Sequence, residues 1–190
     1  MKYEFSDDSA LLLGSAKRFF REGRILEMGS GTGEITLKLA SEHPESTFLA
    51  AELDEESARE AAKRLSQLEN ARCIQTNLFL AISPEEKFDM ILFNPPYLPD
   101  DPEFRDKALH GGRKGNELTI EFLGQAFQRL NSTGILLFIA STLSYPEEIE
   151  FRMQKLSLVF DIVGTKSLFF EKLLVYRAQK AKQNEKNYKQ

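Results

Sequence analysis

The chain has a single cysteine, Cys73, which excludes an internal disulfide and any zinc site built on cysteine. Histidine is nearly as scarce. His43 and His110 are the only two, too few for a metal constellation, so no metal site is expected. No apolar run approaches the ~20 residues that span a bilayer. The opening of the chain carries Asp7 and Asp8 where a secretory leader needs a basic stretch followed by an apolar one. Excess positive charge is missing too. The formal net charge is −4, and without a basic face to gather phosphates no stable nucleic-acid binding is expected. These absences predict a protein of a reducing, cytoplasmic compartment with no membrane contact.

What is present is the material of one globular domain. A length of 190 residues with 42% hydrophobic content supports one substantial core and is short for two. Short apolar runs alternate with helical patterns, which predicts an α/β fold around a mostly parallel sheet. Helices are expected over 9–21, 34–41 and 116–130, after Pro146, and through the repeat Ala58, Ala61, Ala62, Leu65 and Leu68. Asp7, Asp8 or Ser9 could cap the first. Strands are expected over 24–28, 47–51, 72–76, 88–93 and 135–140, with a closing antiparallel hairpin over 159–163 and 173–177. Residues 1–178 form a single domain in this reading, and 179–190, almost without apolar residues, form a disordered polar tail.

Two segments carry chemistry. The first is Glu27-Met28-Gly29-Ser30-Gly31-Thr32-Gly33, between a strand and a helix. Glycines there allow a tight turn and close approach of a ligand to backbone, and a second strand ends on Glu52, where a carboxylate can accept from ribose hydroxyls. Asp54 is the runner-up for that role. A dinucleotide fold, or a turn without a ligand, remains open at this point. The second segment, Asn94-Pro95-Pro96-Tyr97, follows the apolar fourth strand. Two prolines end the strand and stiffen the backbone, so Asn94 and Tyr97 project from the carboxyl edge, where such sheets bind ligands. The Asn94 side-chain carbonyl and the Pro95 backbone carbonyl can each accept one N–H of a planar NH2 group, and Tyr97 can stack on it.

The glycine turn with Glu27 and Glu52 resembles the cofactor signature of class I S-adenosylmethionine-dependent methyltransferases. That resemblance implies a Rossmann-like sheet of seven strands in the order 3-2-1-4-5-7-6 with the last strand antiparallel. It implies S-adenosylmethionine as cofactor and S-adenosylhomocysteine as product. Glu27, Gly29, Gly31 and Gly33 would hold the methionine portion, Glu52 the ribose, and Asn77 and Leu78 the adenine, with Asn94 closing the site. Ser6-Asp7-Asp8-Ser9 and Gly111-Gly112-Arg113-Lys114-Gly115 resemble segments of the HemK-like release factor glutamine methyltransferases, in particular the archaeal and eukaryotic branch. Asp8 and Ser9 would approach the cofactor. The implied activity is methylation of the glutamine amide in the Gly-Gly-Gln motif of a class I translation release factor, with Asn94, Pro95 and Tyr97 as catalytic residues. The resemblance also implies a small zinc-binding activator protein. Its expected dock is the exposed edge of the third strand, where proline at Ile74 would block added-strand pairing. Methylation of adenine N6 or guanine N2 in RNA or DNA, and of protein lysine, are the alternatives.

Overall fold

The computed structural model describes residues 6–100 and 110–181. Among these, β1 (Arg24–Met28), β2 (Thr47–Glu52), β3 (Ala71–Gln75), β4 (Phe88–Phe93), β5 (Leu130–Ser141), β6 (Leu158–Ser167) and β7 (Lys172–Lys180) form one sheet. Its order is β3-β2-β1-β4-β5-β7-β6. The first five strands run parallel, and β7 lies antiparallel to both β5 and β6. This is the class I methyltransferase order that the resemblance implied.

The central strands are buried on both faces, and their residues divide by alternation. Met90 and Leu92 of β4, with Ile135, Leu137 and Ile139 of β5, face one way. They meet Leu12 and Ala16 of α1 (Asp7–Arg18) and Ile35 and Leu39 of α2 (Glu34–Glu42). Ile91, Phe93, Leu136 and Phe138 face the other way, onto Phe122 and Leu123 of α4 (Glu117–Arg129) and Met153 of α5 (Pro146–Lys155). Covered on both sides, the central strands read as continuous apolar runs. The helix α3 (Glu55–Leu65) lies over β2 and β3, burying Ala58, Ala61 and Leu65. Because α2 leaves β1 on one face and α4 follows β4 on the other, the chain reverses its winding between these neighbouring strands. The crevice above that point is where open α/β sheets bind ligands.

Four details differ from the sequence reading. The first helix starts at Asp7 with Ser6 as N-cap, and no side chain caps it. The Asp8 carboxylate instead accepts from the Ser6 hydroxyl and the Ser9 amide. Strand β5 begins at Leu130 rather than 135, because the polar stretch through Asn131 is held by a 2.6 Å bond from its amide to Asp89. Strand β7 runs to Lys180, so the polar segment expected from Gln179 starts inside the sheet, while 182–190 lie outside the described residues. Finally, β3 is the edge strand, but the amide that matters is not that of Ile74. The Asn70 carbonyl and the Thr76 amide both bond to β2. Peptide groups alternate sides along a strand, so Ile74 points inward and Cys73 and Gln75 point to the free edge.

Candidate active site

The glycine turn joins β1 to α2. Gly29, Gly31 and Gly33 have φ of 61°, 53° and 77°, the left-handed region that glycine enters without cost. Two of them are also fixed by space. A Cβ on Gly33 would lie 3.1 Å from the Ala61 Cβ, and one on Gly29 would lie 3.2 Å from the Phe93 ring. Gly31 differs: a Cβ there would meet nothing within 4 Å, so the tip of the turn faces open space.

Glu27, at the carboxyl end of β1, is 5% exposed. Its Oε2 accepts from the Thr36 backbone amide at 2.8 Å and from the Thr36 hydroxyl. Thr36 sits in the first turn of α2, so this carboxylate satisfies a helix N-terminus with no side-chain cap of its own. Burial pushes the Glu27 carboxyl up to about 7, against the two Thr36 bonds that lower it, and the nearby Glu52 charge adds to the rise. Thr36 was not singled out in the sequence; its signal is a hydroxyl in the first turn after the glycines.

Glu52 ends β2 beside the glycine turn. Its Oε2 accepts from the Gly31 amide at 2.7 Å, and its Oε1 accepts from the Leu53 and Asp54 amides at 2.8 and 2.9 Å. Asp54 serves elsewhere. It is the N-cap of α3 and accepts from the Ser57 amide at 2.9 Å, which holds its carboxyl below the usual range. Asn77 and Leu78 lie in the turn after β3, Asn77 exposed and Leu78 buried with φ of 46°.

Asn94 directly follows β4, and α1 reaches over to meet it. The Asn94 amide donates to the Ser9 hydroxyl at 3.4 Å, and the Tyr97 hydroxyl donates to Asp8 Oδ2 at 3.4 Å. Asp8 and Ser9 are therefore brought to the Asn-Pro-Pro-Tyr segment itself. The Asn94 carbonyl oxygen, Oδ1, is buried and has no hydrogen-bond partner among the described residues. An orphaned buried acceptor costs about 1–3 kcal/mol and calls for an explanation.

The Gly-Gly-Arg-Lys-Gly loop lies backbone to backbone against this segment. A Cβ on Gly111 would fall 2.2 Å from the Pro96 carbonyl oxygen, and one on Gly115 would fall 2.4 Å from that of Tyr97. The Gly111 amide donates to the Leu98 carbonyl at 3.0 Å, and the Asp100 amide to that of Gly112 at 2.9 Å. These glycines set the height of the Asn-Pro-Pro-Tyr backbone. Backbone contact across about fifteen residues leaves no periodic trace in the sequence.

The sequence model of the methyltransferase small domain family matches residues 3–163. The chain belongs to that family. It is 28% identical over 183 residues to a protein of Methanocaldococcus jannaschii named as a protein N5-glutamine methyltransferase, covering 93% of this chain and 90% of that one. It is 30% identical over 166 residues to methyltransferase HEMK2 of Homo sapiens, covering 77% and 75%. Among solved structures, a chain of the E. cuniculi Mtq2-Trm112 complex, described as responsible for methylation of the eRF1 translation termination factor, superposes with a TM-score of 0.73. That match covers 94% of this chain and 98% of that one at 23% identity, and shows the shared fold.

As a member of the methyltransferase small domain family, the protein is an S-adenosylmethionine-dependent enzyme. The residues present fit that cofactor. The Gly31 turn faces open space, the Glu52 carboxylate stands at its rim, and the buried Glu27 carboxylate lies beneath it. When bound, the cofactor supplies a methyl group already activated by a positively charged sulfur. The protein's task is then to place an acceptor nitrogen in line and to exclude water.

Proposed function

We propose that this chain methylates a glutamine side-chain amide, the one in the Gly-Gly-Gln loop of a class I translation release factor. The observation that carries this reading is the buried Asn94 Oδ1 without a donor, at the carboxyl end of β4 and beside the glycine turn. An amide nitrogen is a poor nucleophile, because its lone pair is delocalised over the carbonyl. One of its N–H groups supplies the missing donor to Asn94 Oδ1, and the Pro95 carbonyl takes the other. Held so, the nitrogen turns its electron density toward the cofactor methyl, while Tyr97 stacks on the amide plane. The methylated nitrogen sheds a proton readily, so no histidine or lysine is assigned as base. The two glycines that precede the glutamine add no side chains to crowd the opening. Glu27, Glu52, Asn77 and Leu78 hold the cofactor in this reading, and Asp8 and Ser9 hold Asn94 and Tyr97 against it.

Similarity to proteins named for glutamine methylation supports the acceptor class. The reading includes a small zinc-binding activator that adds a strand at the free edge of β3. It also places the protein in the cytoplasm, where release factors act; among the described residues no helix is long and apolar enough to cross a membrane.

Incubation with labelled S-adenosylmethionine and the release factor, with activator supplied, tests the assignment. Label is expected on the release factor and lost when the glutamine is changed to alanine. Efficient labelling of tRNA, rRNA or DNA at physiological salt, with none on the release factor, would replace it with a nucleic-acid substrate.

A further inference from the structure

The tip of the β6–β7 hairpin carries two phenylalanines in water. Phe169 is 92% exposed and Phe170 82%, their rings meeting edge to face at 4.6 Å. The two rings make one contiguous exposed apolar surface, the kind at which partners dock. Its place in the fold says with what. Phe93, next to Asn94, pairs with Phe138, whereas β7 pairs with β5 as far as Ser141. The β5–β7 ladder therefore overshoots β4 by three residues, about 10 Å at 3.3 Å each, and the tip stands as a wall above the acceptor side of the carboxyl edge.

That wall is braced. The Ser141 hydroxyl donates to Glu171, the Thr142 amide donates to the Lys172 carbonyl at 3.0 Å, and Lys166 pairs with Asp7 at 2.6 Å. Asp7 belongs to the same helix turn as Asp8 and Ser9, which contact Tyr97 and Asn94. The hairpin is thus tied to the segment that lines the acceptor site.

Resting on the proposed function, we infer that Phe169 and Phe170 are a docking platform for the polypeptide substrate, gripping an apolar side chain near the modified glutamine. Two strand spacings sideways and the overshoot upward put the tip roughly 15 Å from Asn94, a span that about five extended residues cover. A polypeptide is favoured over a nucleic acid because the charges at the tip balance. Lys166 is paired with Asp7, and the exposed Lys172 adjoins Glu171, leaving little net charge to draw a phosphate backbone.

The test compares the full-length wild type with F169S/F170S in three measurements. These are affinity for the release factor by fluorescence anisotropy, affinity for a short RNA, and methylation of a minimal Gly-Gly-Gln peptide. The variant is expected to bind the release factor at least tenfold more weakly, while methylating the minimal peptide at the wild-type rate. Unchanged release-factor affinity overturns the proposal, as does an equal loss on the minimal peptide, and so does a wild type that binds only RNA and loses that binding in the variant. If the variant loses release-factor binding but the wild type transfers no methyl to glutamine, the platform stands and the assigned reaction fails.

Discussion

The Gly31 amide donates to Glu52 Oε2 at 2.7 Å, so the turns after β1 and β2 are a single unit before any cofactor arrives. Glu52 holds the Leu53 and Asp54 amides as well. It therefore organises the crevice at the glycine turn, beside its proposed role as ribose acceptor.

Glu52→Ala removes both roles, and two charge-assisted hydrogen bonds are worth about 3 kcal/mol, near a hundredfold in affinity. Glu52→Gln keeps one carbonyl acceptor for the Gly31 amide and is expected to lose about tenfold, one charge-assisted bond. Calorimetric titration with S-adenosylmethionine separates the two, and wild-type affinity in Glu52→Ala removes the residue from the cofactor site.

In the proposed site, Glu27 is expected to make cofactor binding pH-dependent. Its carboxyl is raised from 4.5 to about 7, so its contribution to the stability of the free protein is present below about 4.5 and lost as pH rises through about 7. The cationic cofactor prefers the ionised form. Affinity is thus expected to tighten as pH rises through 7, by up to about tenfold per unit below it, and to flatten above. In Glu27→Gln the slope should vanish. A slope that persists there assigns the titration to another group.

Gly111→Ala puts a methyl where the Pro96 carbonyl oxygen already lies, 2.2 Å from the ideal Cβ position, so one backbone must shift. A displacement of about 1 Å at an aligned acceptor can cost on the order of a hundredfold in rate. Turnover is expected to fall at least tenfold on that account while cofactor affinity changes less than about twofold. Equal losses in both would mean that the loop supports the whole crevice and not the Asn-Pro-Pro-Tyr segment.

The activator prediction follows from which amides face out. Cys73→Pro deletes a donor on the free edge of β3 and leaves the β2 ladder intact, whereas Ile74→Pro breaks the ladder itself. Co-purification of the activator is expected to be lost in Cys73→Pro with the far-ultraviolet circular dichroism unchanged. Retention of the activator places its dock elsewhere.

Strands β1 and β4 were legible to the residue, because both are short apolar runs bounded by a glycine turn or by prolines. The strand order was legible only through the resemblance, since period and composition do not record which strand lies beside which. Side-chain to backbone contacts were invisible. Glu27 capping α2 through Thr36, Asp54 capping α3, and glycines at 111 and 115 lying on the Pro96 and Tyr97 carbonyls all join positions that no periodicity relates. The start of α1 was missed because the cap is Ser6, outside the three candidates Asp7, Asp8 and Ser9, and Asp8 is turned toward Ser6 and Tyr97.

In the proposed reaction the buried Asn94 Oδ1 aligns a planar NH2 for methyl transfer. Single-turnover kinetics of Asn94→Ala on the release factor, with cofactor affinity measured on the same preparation, tests it most directly. A rate loss of about a hundredfold or more is expected, with affinity for S-adenosylmethionine within about threefold of wild type, the mark of an interaction made in the transition state. A rate within about threefold of wild type, a small step on the transition-state scale, would contradict it.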